Sequence, residues 1–204
     1  MKKIALLFLP LLFLAACTSP GEPDPGGTTT TSSTTTSTLP PTTTTTRPVL
    51  NAESRVGFEG IGPVKVGMSL SEASIAAGSP IEIRPDFVLE NCGYAYSVLG
   101  SDVGFMTSRE NENDPWRIVR VDVFGGDTKT ISGAHIGSTE ADVKKIYGNV
   151  TVTPHKYVEG GHYLEFDVDG KNVGESLILE TDGEKVTEYR AGSEPYVRWI
   201  EGCA

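Results

Sequence analysis

Val64-Lys65-Val66-Gly67-Met68-Ser69-Leu70-Ser71-Glu72-Ala73 (residues 64–73) returns 70 residues later as Ala134-His135-Ile136-Gly137-Ser138-Thr139-Glu140-Ala141-Asp142-Val143 (residues 134–143). Each copy reads as a short extended lead-in, a glycine turn and the start of a capped helix. Ser69 and Glu72 have the spacing of a capping box, in which hydroxyl and carboxylate satisfy two backbone N–H groups reciprocally; Thr139 and Asp142 form a weaker version. Gly78 and Gly148 stand where a left-handed residue closes a helix. Only about eight residues lie between these stops, too few for a helix to persist alone in water. Ala73, Ala76 and Ala77, and Val143, Ile146 and Tyr147, place an apolar stripe at helical spacing. Each helix must therefore lean on something larger.

That support is expected downstream of each helix, in strands over 92–98, 103–108 and 117–124, and again over 162–168, 176–180 and 185–190. Val119, Val121 and Val123 alternate with Arg120 and Asp122. Leu164, Phe166 and Val168 alternate with Tyr163, Glu165 and Asp167, the period of a sheet with one wet face. Asp169-Gly170 and Asp182-Gly183 mark tight hairpin turns. The pattern predicts an α+β fold of two tandem repeats, 49–127 and 128–204, each a short capped helix packed on an antiparallel sheet.

An apolar residue and Gly, then Ser69 or Thr139, then an acid three residues on, then a closing Gly, resembles the repeat of the β-lactamase inhibitor protein. It is similar also to the single copy in the small SmpA/BamE-type envelope lipoproteins that assist outer-membrane barrel assembly. The resemblance covers roughly 15 residues twice. It implies the repeat fold and an association role. The inhibitor carries a disulfide within each half, whereas each half here retains one Cys, so no inhibitory residues carry over.

The N-terminus sets an address. Lys2 and Lys3 precede an apolar run from Ile4 to Ala16, broken by Pro10; its 13 residues fall short of the roughly 20 that span a bilayer. A basic start, a short apolar stretch and small residues form a secretory signal, here residues 1–16. Leu14-Ala15-Ala16-Cys17 resembles the lipobox of bacterial lipoproteins. The resemblance implies a diacylglyceryl group on the Cys17 thiol and cleavage just before it, and two acyl chains suffice for stable anchoring. Residues 18–48 are almost only Thr, Ser, Pro and Gly, with nothing apolar to bury, so 17–48 is expected to be a lipidated Cys followed by a disordered linker. Such a coil averages about 30 Å end to end. The implied location is the extracytoplasmic side of the cell membrane.

Acidic residues number 27 against 17 basic, a net charge of −10, which disfavours nucleic acid as a partner because phosphates must be met by clustered Lys and Arg. With Cys17 lipidated, Cys92 and Cys203 are the remaining thiols, and export to an oxidising compartment favours their pairing; two free buried thiols are the alternative. A bridge would close a 112-residue loop, worth roughly 4–5 kcal/mol in the chain-entropy picture. His135, His155 and His162 have no metal-ligand spacing. Asp167-Val168-Asp169-Gly170-Lys171-Asn172 has part of a calcium loop but lacks its twelfth-position acid and its flanking helices. No Gly-x-Ser-x-Gly elbow is present, and no cofactor or metal is expected. The expectation is a membrane-anchored, non-enzymatic module. Its wet face, with Arg120, Asp122, Tyr163, Glu165 and Asp167, would meet a protein or another envelope component. The alternative is an envelope hydrolase using carboxylate chemistry, which would need a deep pocket joining two carboxylates of raised pKa.

Overall fold

A computed structural model describes residues 47–166 and 174–203. The signal segment, Cys17 and the linker as far as residue 46 lie outside the described residues, as do Asp167, Val168 and the 167–172 turn.

Three short strands come first: β1 (Val56–Gly57), β2 (Gly60–Ile61) and β3 (Val64–Lys65). Helix α1 (Leu70–Ala77) leads into β4 (Glu82–Leu89), β5 (Cys92–Ser97), β6 (Gly100–Ser108) and β7 (Arg117–Val123). Helix α2 (Glu140–Tyr147) leads into β8 (Thr151–Pro154), β9 (His162–Phe166), β10 (Glu175–Thr181) and β11 (Val186–Ser193), and a single 3-10 turn follows at Tyr196–Arg198.

The α+β expectation is overturned. The fold is mainly β, a three-stranded sheet beside one eight-stranded antiparallel sheet, and the helices are only eight residues each. Strand order in the large sheet is β4-β5-β6-β7-β11-β10-β9-β8, so the sheet is continuous where two separate helix-covered sheets were expected. The misreading has a physical source. Segments 82–89 and 151–154 become the two edge strands, mostly exposed and without a clean alternation, and each contains a proline. Edge positions tolerate such sequences because one side of the strand needs no ladder.

The helix caps form as their sequences specify. Ser69 accepts from the Glu72 N–H while the Glu72 carboxylate accepts from the Ser69 N–H, and Thr139 accepts from the Asp142 N–H. Ala73, Ala77 and Val143 enter the main core, whereas Ile146 of the expected stripe is 41 % exposed. The core is built chiefly by one face of the sheet. Across it runs the row Val103, Val123, Tyr189, Leu179 and Leu164, each opposite the next on a neighbouring strand and all buried. Cross-strand pairs of this kind are the unit of sheet stabilisation.

The joint between β7 and β11 holds the two sets of strands together, and it is tight. Gly192 lies opposite Arg120, and a Cβ there would stand 2.4 Å from the Val119 carbonyl oxygen and 2.7 Å from the Arg120 Cα. Backbone atoms cannot swing aside as a side-chain tip can. Gly192→Ala should therefore destabilise the protein by about 1–3 kcal/mol, the usual cost of forcing extra volume into a packed site. The urea midpoint should fall at an unchanged slope, and an unaltered midpoint would refute the tight joint.

Candidate functional site

The second face of the large sheet carries the residues that the sequence places in water. Across it run Tyr96, Gly104, Asp122, Arg190, Ile178 and Glu165, again each opposite the next. Arg120 and Met106 form the adjacent row with Tyr94. The parity is as the sequence predicts, but the environment is not. Arg120 is 2 % exposed, and Asp122 and Tyr163 are buried with it. The open face expected for these residues is corrected to a roofed one.

The roof is the C-terminal segment, which leaves β11 and runs back over the face. Arg120 Nη1 donates to the carbonyls of Tyr196 (2.8 Å) and Trp199 (2.7 Å), Nη2 to the Tyr94 hydroxyl (2.7 Å) and Nε to Asp122 (3.0 Å). Arg190 Nε donates to the Val197 carbonyl at 2.6 Å, and its Nη1 is paired with Glu180. Val197 is fully buried against Tyr163 and Ile178. The segment ends at Cys203, which forms a disulfide with Cys92, their Cα atoms 5.4 Å apart. The bridge expected from the sequence is present. Glu165 is half-buried and pairs with Arg198 of the roof, and Asp167 lies outside the described residues.

Loop 155–161 covers the rest. The Tyr157 and Val158 N–H groups both donate to His155 Nδ1, at 3.0 and 3.1 Å, so Nε2 carries the proton and donates to Glu180 at 2.7 Å. This tautomer is assigned from the surrounding donors. The His155 ring stacks on Tyr163 with centroids 4.5 Å apart. Farther along, Lys156 Nζ reaches Glu201 at 2.9 Å.

The charges on this face do not balance. Arg120 and Arg190 face three acids: Asp122, Glu180 and Glu188. Glu188 and Glu180 stand directly opposite on adjacent strands, and like charges so placed repel. Burial, then the Glu180 charge and hydrogen bond, push the Glu188 carboxyl up to about 7, against the opposing pull of Arg190. Burial likewise raises Asp122, opposed by its pairing with Arg120. At the other face the balance is reversed. Burial would raise Glu140, but hydrogen bonds from Lys144, Thr181 and His162 bring it down to about 2.

Beside the disulfide the roof leaves an open cleft of about 670 Å³, lined by Leu89, Asn91, Lys156, Arg198, Trp199 and Ile200. Leu89 is 56 % exposed, Trp199 40 % and Ile200 37 %. These apolar surfaces stand among Lys156, Arg198, Glu90 and Glu201. Neither Glu188 nor Asp122 lines this cleft. A carboxyl near 7 can pass a proton at neutral pH, but Glu188 does so among ion-paired side chains and away from the cleft.

Sequence reasoning missed Arg190, Glu180 and Glu188, although Glu188 and Arg190 share the parity of Arg120 and Asp122 across the β7–β11 pair. It missed the cleft because Leu89 and Trp199 are 110 residues apart and are brought together by the bridge and by the bonds that hold the C-terminal segment. Comparison with protein-family models, curated proteins and solved structures finds no match to this chain.

Glu188 makes stability depend on pH. Its folded-state pKa is raised, so the contribution is fully present below its unfolded value near 4.5 and is lost as pH rises through about 7. Stability should decline across that window by about 1–2 kcal/mol once its open side is discounted for solvent screening. In Glu188→Gln this part of the decline should vanish. Urea unfolding at pH 5 and pH 8 measures it, and identical pH slopes in the two proteins would refute the assignment.

Proposed function

We propose that the chain is an exported lipoprotein, anchored through Cys17 on the extracytoplasmic side of the cell membrane. Its folded region would act as a non-enzymatic binding module for a protein or another envelope component. The observation that carries the binding role is the cleft beside the Cys92–Cys203 bridge, where Leu89, Trp199 and Ile200 stay exposed among charged residues. Exposed Trp within a charged rim is the composition of a recognition patch. A disulfide at the floor of the cleft holds Trp199 and Ile200 in place before any partner arrives, which lowers the ordering cost of binding. The bridge also suits an oxidising, extracytoplasmic compartment. Among the described residues no helix is long and apolar enough to cross a membrane. Attachment in this reading rests on Cys17 alone.

Two measurements test the two halves. Cys17→Ser should move the protein from the membrane fraction to the soluble one, or leave it as the uncleaved precursor; a mature variant that resists a carbonate wash would sink the anchor. For the cleft, a photo-crosslinking residue is placed at Leu89 of the full chain in its own cells, with the exposed helix position Ile75 as control. A discrete adduct at Leu89 alone is expected. Trp199→Ala should weaken it by about 2 kcal/mol in binding, roughly thirty-fold. Equal labelling at both positions, or insensitivity to Trp199, would rule out the cleft as the contact surface.

A further inference from the structure

The roof over the polar face is held in an unusual way for a core segment. Residues 195–202 bury a single apolar side chain completely, Val197, in a pocket made by Tyr163 and Ile178. Beneath the segment the hold is on the main chain, where three carbonyls, of Tyr196, Val197 and Trp199, are met by Arg120 and Arg190; at its edges Arg198 pairs with Glu165, Glu201 with Lys156, and the Tyr196 hydroxyl donates to Ser108. Main-chain hydrogen bonds that accept many sequences, together with a pocket that selects one side chain, are a combination that peptide-binding proteins use. The two guanidinium groups are also held from the sheet. Asp122 holds Arg120 and Glu180 holds Arg190, and these acids sit on the sheet itself. Gly202 closes the arrangement at φ +65°, and a Cβ there would lie 2.8 Å from the Tyr94 hydroxyl oxygen.

We propose that this face is a peptide-binding site, occupied in cis by the chain's own residues 195–202, and that the Cys92–Cys203 disulfide is the latch that keeps it filled. The ligand it takes in trans is a short turn-forming peptide, like the 3-10 turn at Tyr196–Arg198, with a branched apolar residue for the Tyr163–Ile178 pocket, preceded by one aromatic residue and followed two positions on by another. This site lies beneath the segment, whose outer side lines the open cleft, so the proposal concerns the opposite side of the segment from the binding role argued above. Opening requires a dithiol. One thiolate of the dithiol attacks a sulfur of the bridge, giving a mixed disulfide and one free cysteine thiolate, which takes a proton. The second thiol of the dithiol then displaces the remaining cysteine. Two electrons and two protons pass to the bridge, two cysteine thiols result, and the dithiol leaves as its own disulfide. The segment is then covalently attached at one end only, through β11.

The test uses the full chain carrying Val197→Asp and Cys203→Ser, which empties the pocket and removes the latch. The probe is a fluorescein-labelled synthetic peptide of residues 194–202, followed by anisotropy. Saturable binding is expected, reduced about tenfold or more when the peptide carries Asp at the Val197 position. The oxidised wild-type chain should bind neither peptide. If the double variant keeps native amide-exchange protection in β7 and β11 yet fails to bind, or if the oxidised wild type binds equally well, the site is overturned. Should the variant lose that protection, the wild-type chain decides the latch. Trypsin cleavage after Arg198, read after denaturing reduction of all samples, should accelerate about tenfold when dithiothreitol is added beforehand, as for a segment freed to open locally. An unchanged rate overturns the proposal.

Discussion

A guanidinium withdrawn from water must have its N–H groups met, and two of them decide how this chain closes. Arg120 and Arg190 sit on adjacent central strands of the large sheet, with their charged ends on the face away from the main core. Asp122 and Glu180 answer their charge but not all of their donors. The shortfall is made up by backbone carbonyls of the C-terminal segment. Breaking one partner of such a buried pair typically costs about 3–5 kcal/mol, whereas an intact pair contributes little net stability. The charges are thus better understood as fixing where residues 195–199 must lie than as the source of the fold's stability.

The disulfide and the carbonyl bonds act on opposite ends of the folding equilibrium. Joining Cys92 to Cys203 across a long loop restricts the unfolded chain. The bonds from Arg120 and Arg190 exist only in the folded one. Together they order a segment at a chain end, where unattached residues commonly fray.

Much of this was legible in the residues and some was not. Capping pairs are local, so Ser69 with Glu72 and Thr139 with Asp142 identified both helix starts. Period-two alternation identified the strands around Val121 and Leu164 and their two faces. Alternation reports which residues share a face, but it does not say whether water or another part of the chain covers that face. Arg120 and Asp122 were assigned to solvent because the segment that buries them is some 75 residues away in sequence. The fold class is misread at 82–89 and 151–154, where mostly exposed edge strands carry proline-bearing sequence without clean alternation. The cysteines were the exception among long-range features. Once Cys17 is set aside as the expected lipidation site, two thiols have few ways to pair, and the Cys92–Cys203 bridge is present.

Those same edge strands have a consequence for crowding. A sheet with open edges can be extended by the sheet of a neighbour, strand against strand, and molecules held at high density on a surface meet edge to edge often. In β4 the regular pairing is interrupted between Ile83 and Val88, a stretch containing Pro85, and β8 ends in Pro154. Proline offers no N–H to an incoming strand, and an irregular edge presents no straight ladder to copy. Both rims of the sheet are therefore poor templates. Copies of this protein packed side by side are protected against fusing into a continuous β-ribbon.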